Sequence, residues 1–175
     1  MSDSYLSKIS ELHELLGIPA SFREECSMPL CHTPAQLVAT EPDYYGRPQQ
    51  LTPEAFAAWS DMKAAAARDG VVIHLISAYR DPEYQCQIFK RKLDAGEPLA
   101  AILRVNAAPG YSEHHTGRAI DLGTLDCPAL ETEFEKTPAF AWLSEHAGTF
   151  GFALSYPRDN AHGIGYEPWH WCFMS

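Results

Sequence analysis

The run VVIHLISAY, residues 71–79, constrains the fold more than any other segment of this 175-residue chain. It is apolar and β-branched, which reads as a buried strand. Helix signals flank it. Thr52-Pro53-Glu54 supplies an N-cap with proline at the first helical position, and the Ala-rich run behind it ends at Asp69-Gly70. Asp81-Pro82 caps a second helix with Tyr84 and Ile88 on one face. Tyr5, Ile9, Leu12 and Leu16 recur at helical spacing before Gly17, predicting a helix over 4–16. Further helices are expected over Leu99 to Asn106 and from Thr137-Pro138 to Ala147, with short strands at 119–122, 152–155 and 169–173 and a minor one near 36–39. No βαβ unit repeats, so the pattern predicts an α+β protein and not a doubly wound sheet.

The length suits one domain that buries its own core. A formal net charge of −10 argues against a nucleic-acid backbone or an anionic membrane surface as partner, since both reward clustered Lys and Arg. Nowhere are there 18 consecutive apolar residues, so no membrane insertion is expected. The opening MSDSYLSKISELHELLG has neither a basic n-region nor a long apolar run. The expectation is a cytoplasmic protein, or a periplasmic or extracellular one if the chain is cut from a longer precursor with an export signal. Five cysteines at irregular spacing read as reduced thiols. Cys26, Cys31 and His32 offer three zinc donors, but no second pair follows at zinc-finger spacing, so a metal-free loop is the better reading.

Most of the eight histidines are bland: His13 on a helix surface, His74 in the apolar strand, and His32 and His162 in loops. Two segments differ, YSEHHTGRAIDL at 111–122 and YEPWHW at 166–171. A catalytic zinc takes three ligands from His, Asp or Glu, keeps a position for water, and needs a carboxylate to take that water's proton. His114 or His115, Asp121, His170 and Glu167 supply that inventory, and no other grouping in the sequence does. Fully extended, His114 to Asp121 would span roughly 23 Å, so the segment must fold back, and Thr116-Gly117 is the place for the turn. In a straight strand His115 would share a face with Asp121, yet the turn makes that parity unreliable. Physical chemistry alone does not choose the histidine.

Taken together, Ser112-x-His114-x-x-Gly117-x-Ala119-x-Asp121 and the later Glu167-x-x-His170 resemble the zinc D-alanyl-D-alanine carboxypeptidases of the vancomycin-resistance (VanY) type. SAYR at 77–80, Gln85, PGYSEHHTG, GF and SYP within 151–157, and GIGYEPWHW agree in order, over roughly residues 70–173. The resemblance implies a small antiparallel sheet flanked by helices, the hedgehog/D,D-peptidase-like fold. Its core would be 70–173, with 1–65 as a helical and irregular N-terminal extension of the same domain. It implies one catalytic zinc ion on His114, Asp121 and His170, with His115 as a neighbour. Glu167 would act as base then acid, Arg80 would stabilise an oxyanion, and Ser112 and Gln85 would hold the substrate's C-terminal end. The implied substrates are peptidoglycan stem peptides or precursors ending in D-alanine, cut by D,D- or L,D-carboxypeptidase action. The alternatives are endopeptidase cleavage within the stem, and a non-catalytic metal-binding module on the same fold. The sequence leaves the oligomeric state open.

Overall fold

The computed structural model describes residues 2–174. In chain order the elements are α1 (Ser2–Leu16), α2 (Phe22–Glu25), β1 (Val38–Ala39), β2 (Gln50–Leu51), α3 (Pro53–Arg68), β3 (His74–Ser77), α4 (Pro82–Asp94), α5 (Leu99–Val105), β4 (Ala119–Gly123), α6 (Pro138–His146), β5 (Phe152–Leu154) and β6 (His170–Phe173). The three proline-led helices start where the sequence places them. In each, the preceding Thr52, Asp81 or Thr137 side chain accepts a backbone N–H of the first turn. The protein is α+β, as the patterning predicts.

The main sheet is antiparallel, in the order β3-β4-β6-β5. Its alternation divides the molecule. Ile120, Leu122, Trp171 and Phe173 turn to one face and pack with Ala55, Trp59, Met62 and Ala66 of α3 and Ala139, Trp142 and Leu143 of α6. Trp59 and Met62 have no exposed surface; burying an apolar side chain of this size contributes about 1.5–3 kcal/mol. Asp121 and His170 turn to the opposite face. A second cluster, with Leu16, Ile18, Cys86, Phe89, Ile102, Ala108 and Tyr111, joins α1, α4, α5 and the 107–111 loop. The functional face of the sheet looks toward this cluster.

The strand expected over 71–79 is confined to His74–Ser77. Its ladder with β4 shifts register between Leu75 and Ser77, and Val72 is 57% exposed. Beyond Ser77 the backbone serves other partners, with the Tyr79 N–H donating to Gln50 O and the Ala78 carbonyl facing a histidine.

Of the described residues before 66, many are in close contact with the rest. Leu51, Ala55, Trp59 and Met62 belong to the core of the main sheet. The Thr52 N–H donates to Gly117 O, and the Cys31 N–H to Gly110 O. An ion pair joins Lys8 on α1 to Glu83 on α4. None of the described helices is long and apolar enough to cross a membrane.

Candidate active site

Register builds half of the site. Asp121 on β4 and His170 on β6 are directly opposed in the ladder, so their side chains project from the same face. Asp121 Oδ1 and His170 Nδ1 lie 3.1 Å apart. The other half comes from a 3₁₀ turn, Glu113–Thr116, closed by Gly117 in the left-handed region at φ +65°. Only glycine adopts that conformation without strain, and a Cβ there would also meet Leu37 Cδ2 at 2.7 Å. The turn sends His114 inward, with Nε2 3.2 Å from Asp121 Oδ2. The donor atoms of His114, Asp121 and His170 lie within 4.8 Å of one another, and all three residues are buried. No other such group converges among the described residues.

The hydrogen bonds settle which nitrogens face inward. His114 Nδ1 lies 2.6 Å from the Ala78 carbonyl, which can only accept, so that nitrogen carries the proton. Its Nε2 is buried with no hydrogen-bond partner, because the approach to Asp121 lacks hydrogen-bond geometry. An orphaned lone pair beside a buried carboxylate and a second imidazole suits a cation, and these donors suit zinc. Three protein donors leave a further position for water.

His115 lies outside the group, and both of its nitrogens are in use. Nδ1 faces the Arg80 carbonyl at 2.6 Å, and Nε2 accepts the Gly110 N–H at 3.1 Å. The ring is completely buried. It therefore has no lone pair left for a metal, and it clips the segment after β3 that carries Arg80 to the loop entering the 3₁₀ turn. Burial pushes its pKa down to about 4, so the folded protein holds it neutral. His115→Gln is expected to destabilise the protein by roughly 1–3 kcal/mol at pH 7, through a poorly met pair of buried hydrogen bonds. Unfolded chains protonate this ring near 6.5, so its contribution is complete above that pH and drains away as pH falls through about 4. Melting curves at pH 7 and pH 4.5 check this: the gap between wild type and variant should narrow at the lower pH, and an unchanged gap would refute the neutral clip.

Charge around the group is tightly balanced. Burial alone would raise the Asp121 pKa, but His114 and His170 more than offset it and hold the carboxylate well below its ordinary range. Complete burial pushes His114 down to about 4. For His170 burial acts downward, yet the hydrogen bonds it donates to Asp121 and Glu113 prevail and raise it to about 10. Glu167 Oε2 stands 3.9 Å from His170 Nδ1. Burial is the main reason its carboxyl rises to about 7, opposed by His170 and reinforced by Asp121.

Arg80 reaches Asp121 Oδ2 at 3.9 Å through Nη2, and its Nε is buried without a partner. The acidic residues nearest it in sequence are engaged elsewhere, since Asp81 caps α4 and Glu83 pairs with Lys8. Ser112 and Gln85, 3% and 2% exposed, line the same pocket of about 310 Å³ as Arg80, His114, Glu167 and His170. Gln85 Nε2 donates to the Ala107 carbonyl at 2.8 Å, leaving Oε1 buried and unpartnered. All seven sequence-predicted site residues thus border one cavity.

Sequence reasoning passed over Glu113, whose Oε2 lies 2.9 Å from His170 Nε2 and accepts the Ser155 hydroxyl at 2.5 Å. It also passed over Tyr156 as a site residue; its buried ring lies 4.8 Å from that of His170. Cys26, Cys31 and His32 form no metal-capable group. All five thiols are free, and burial chiefly drives Cys31 up to about 12, which keeps it a protonated thiol.

Fold and site together define a small α+β protein with a His-Asp-His group suited to a metal ion at the floor of a cleft and a further buried carboxylate, Glu167, beside it. A family model described as VanY, D-alanyl-D-alanine carboxypeptidase, matches residues 48–175. The chain belongs to that family. A D-alanyl-D-alanine carboxypeptidase of Enterococcus faecium is 36% identical over 115 residues, covering 64% of this chain and 33% of the relative. The chain thus spans about a third of that protein's length. Among solved structures, that of the LdcB LD-carboxypeptidase superposes with a TM-score of 0.73 at 26% identity, over 82% of this chain and 70% of the other. A mutant of the vancomycin-resistance D,D-pentapeptidase VanY from a VanB-type cassette, in complex with Zn(II), gives 0.64 at 29% identity, over 85% and 88%.

Proposed function

We propose that this protein is a zinc metallocarboxypeptidase that releases C-terminal D-alanine from peptidoglycan stem peptides or their precursors. The observation that carries the reading is the orphaned Nε2 of His114, turned toward Asp121 and His170 in a pocket that also holds Glu167 and Arg80. Family membership and the names of the relatives supply the substrate class.

His114, Asp121 and His170 would hold the ion. When bound, zinc lowers the pKa of a coordinated water and polarises the scissile carbonyl. Glu167 takes the proton of the attacking water and returns it to the leaving amine, acting as general base and then general acid. Arg80, a fixed cation with a buried unpartnered N–H, stabilises the negative charge that develops on the carbonyl oxygen. Ser112 and Gln85 hold the C-terminal residue. Because the Ala107 carbonyl claims the Gln85 amide N–H, its free oxygen is an acceptor and suits a peptide N–H, while the Ser112 hydroxyl is free to donate to the carboxylate.

The two solved relatives carry L,D and D,D in their names, so the test must offer both substrates. Zinc-loaded protein is incubated with synthetic stem tetrapeptide, pentapeptide and D-Ala-D-Ala, and products are followed by mass spectrometry. Loss of one terminal D-alanine is the expected result, and the peptide that shortens assigns L,D or D,D action. No cleavage of any of the three, with zinc confirmed in the protein, would refute the carboxypeptidase reading in favour of an endopeptidase or a non-catalytic module.

A further inference from the structure

Glu113 is acidic, immediately precedes His114 on the 3₁₀ turn, and points across the cleft to β6. Its Oε2 lies 2.9 Å from His170 Nε2 and accepts from Ser155 Oγ at 2.5 Å. Ser155 directly follows β5, the strand paired with β6. The carboxylate is therefore held from one side by the segment next to β6 and on the other grips the imidazole that β6 presents.

That grip has a chemical consequence. A neutral imidazole carries its proton on one nitrogen and a lone pair on the other, and a carboxylate accepts only from the protonated one. With Glu113 taking Nε2–H, the nitrogen left to face the metal group is Nδ1, 3.1 Å from Asp121 and 3.9 Å from Glu167. Asp121 also faces that nitrogen, and a bound cation would take the place of its proton while Glu113 keeps the one on Nε2. The two histidines of the group are thus oriented by different means. His114 donates Nδ1–H to a backbone carbonyl and presents Nε2, whereas His170 donates Nε2–H to a carboxylate and presents Nδ1. The carboxylate does more than the carbonyl, because it holds the proton on Nε2 and also makes the ring a stronger donor to a metal on Nδ1.

Building on the reading of His170 as a metal ligand, we propose that Glu113, itself braced by Ser155, is a positioning residue that holds His170 with Nδ1 presented to the metal. It touches neither metal nor substrate. Because Glu113 and His114 are adjacent on one turn, the same turn supplies one ligand directly and orients another.

The test is Zn²⁺ affinity, measured on the full chain by competition with a chromophoric chelator, for wild type, Glu113→Ala, Glu113→Gln and Ser155→Ala. Glu113→Ala is expected to weaken zinc binding about 10- to 100-fold, the range typical of such outer partners. Glu113→Gln keeps an acceptor for Nε2–H but loses the charge, so it should recover part of the lost affinity, and Ser155→Ala should lose less than Glu113→Ala. Visible absorption of the Co²⁺ forms gives a second readout, and Glu113→Ala should alter its ligand-field bands. A merely structural residue would lower the melting temperature of the metal-free protein and leave affinity and spectrum alone. Tight wild-type binding with Glu113→Ala and Glu113→Gln both within twofold would overturn the positioning role alone. No zinc affinity in the wild type would overturn the metal site and this role together.

Discussion

Glu167→Gln is expected to lower kcat for D-alanine release by roughly 10²- to 10⁴-fold, the usual contribution of a positioned general base, while zinc stays bound. Glutamine keeps the shape of the side chain and its place beside His170, but it has no lone pair basic enough to take a proton from water. Among the described residues at the site, no other carboxylate is free to substitute. Asp121 faces both histidines of the group, and Glu113 is engaged by His170 and Ser155. Stopped-time assays on the cleaved peptide, with zinc content checked by atomic absorption, decide the matter. A variant within tenfold of wild type would remove Glu167 from the chemistry.

Removing the ion should cost both activity and stability. The folded protein gathers His114, Asp121 and His170, and an unfolded chain scatters them, so binding free energy adds to folding free energy. At free zinc a thousandfold above the dissociation constant, the gain is about 4 kcal/mol, which for a chain of this size raises the melting temperature by roughly 8–16 °C. Treatment with a chelator should abolish D-alanine release and lower the melting temperature by that amount, and added Zn²⁺ should restore both. His170→Ala should be inactive, with a melting temperature that no longer responds to zinc. If chelation leaves wild-type melting unchanged, the three side chains do not hold the ion.

The elements written in local chemistry were legible in the sequence. Thr52, Asp81 and Thr137 announce their helices because a cap is a contact between near neighbours. The Ser-x-His…Asp and Glu-x-x-His spacings were also legible, and the geometry gathers the side chains those motifs name around one pocket. What sequence could not give was direction. A straight-strand parity argument favours His115, but the 3₁₀ turn ends that strand before it begins and points the two histidines to different partners. The link between Glu113 and Ser155 spans 42 residues and belongs to no motif, so nothing local signals it. The contacts of the N-terminal segment with the ligand turn and the loop before it were hidden for another reason. Several run through backbone groups, such as Thr52 N–H to Gly117 O and Cys31 N–H to Gly110 O, which leave no side-chain signature. The apolar run at 71–79 was over-read as strand because strand length depends on the partner, and β4 pairs with only part of it.

The pairing of Asp121 with His170 across β4 and β6 has a consequence for how such a protein can change. The loops among the 48 residues between them can lengthen or shorten without moving either donor, provided α6, β5, Ser155 and Glu167 keep their places and the two strands re-enter in the same alignment. Those loops include Leu130 and Ile164 on the wall of the cleft, so the wall can vary in sequence while the paired donors stay fixed. A slip of one residue in β6 is a different matter, since it would turn Trp171 into the cleft and drive His170 into the apolar core. Hydrophobic packing on one side of the sheet therefore proofreads the metal site on the other.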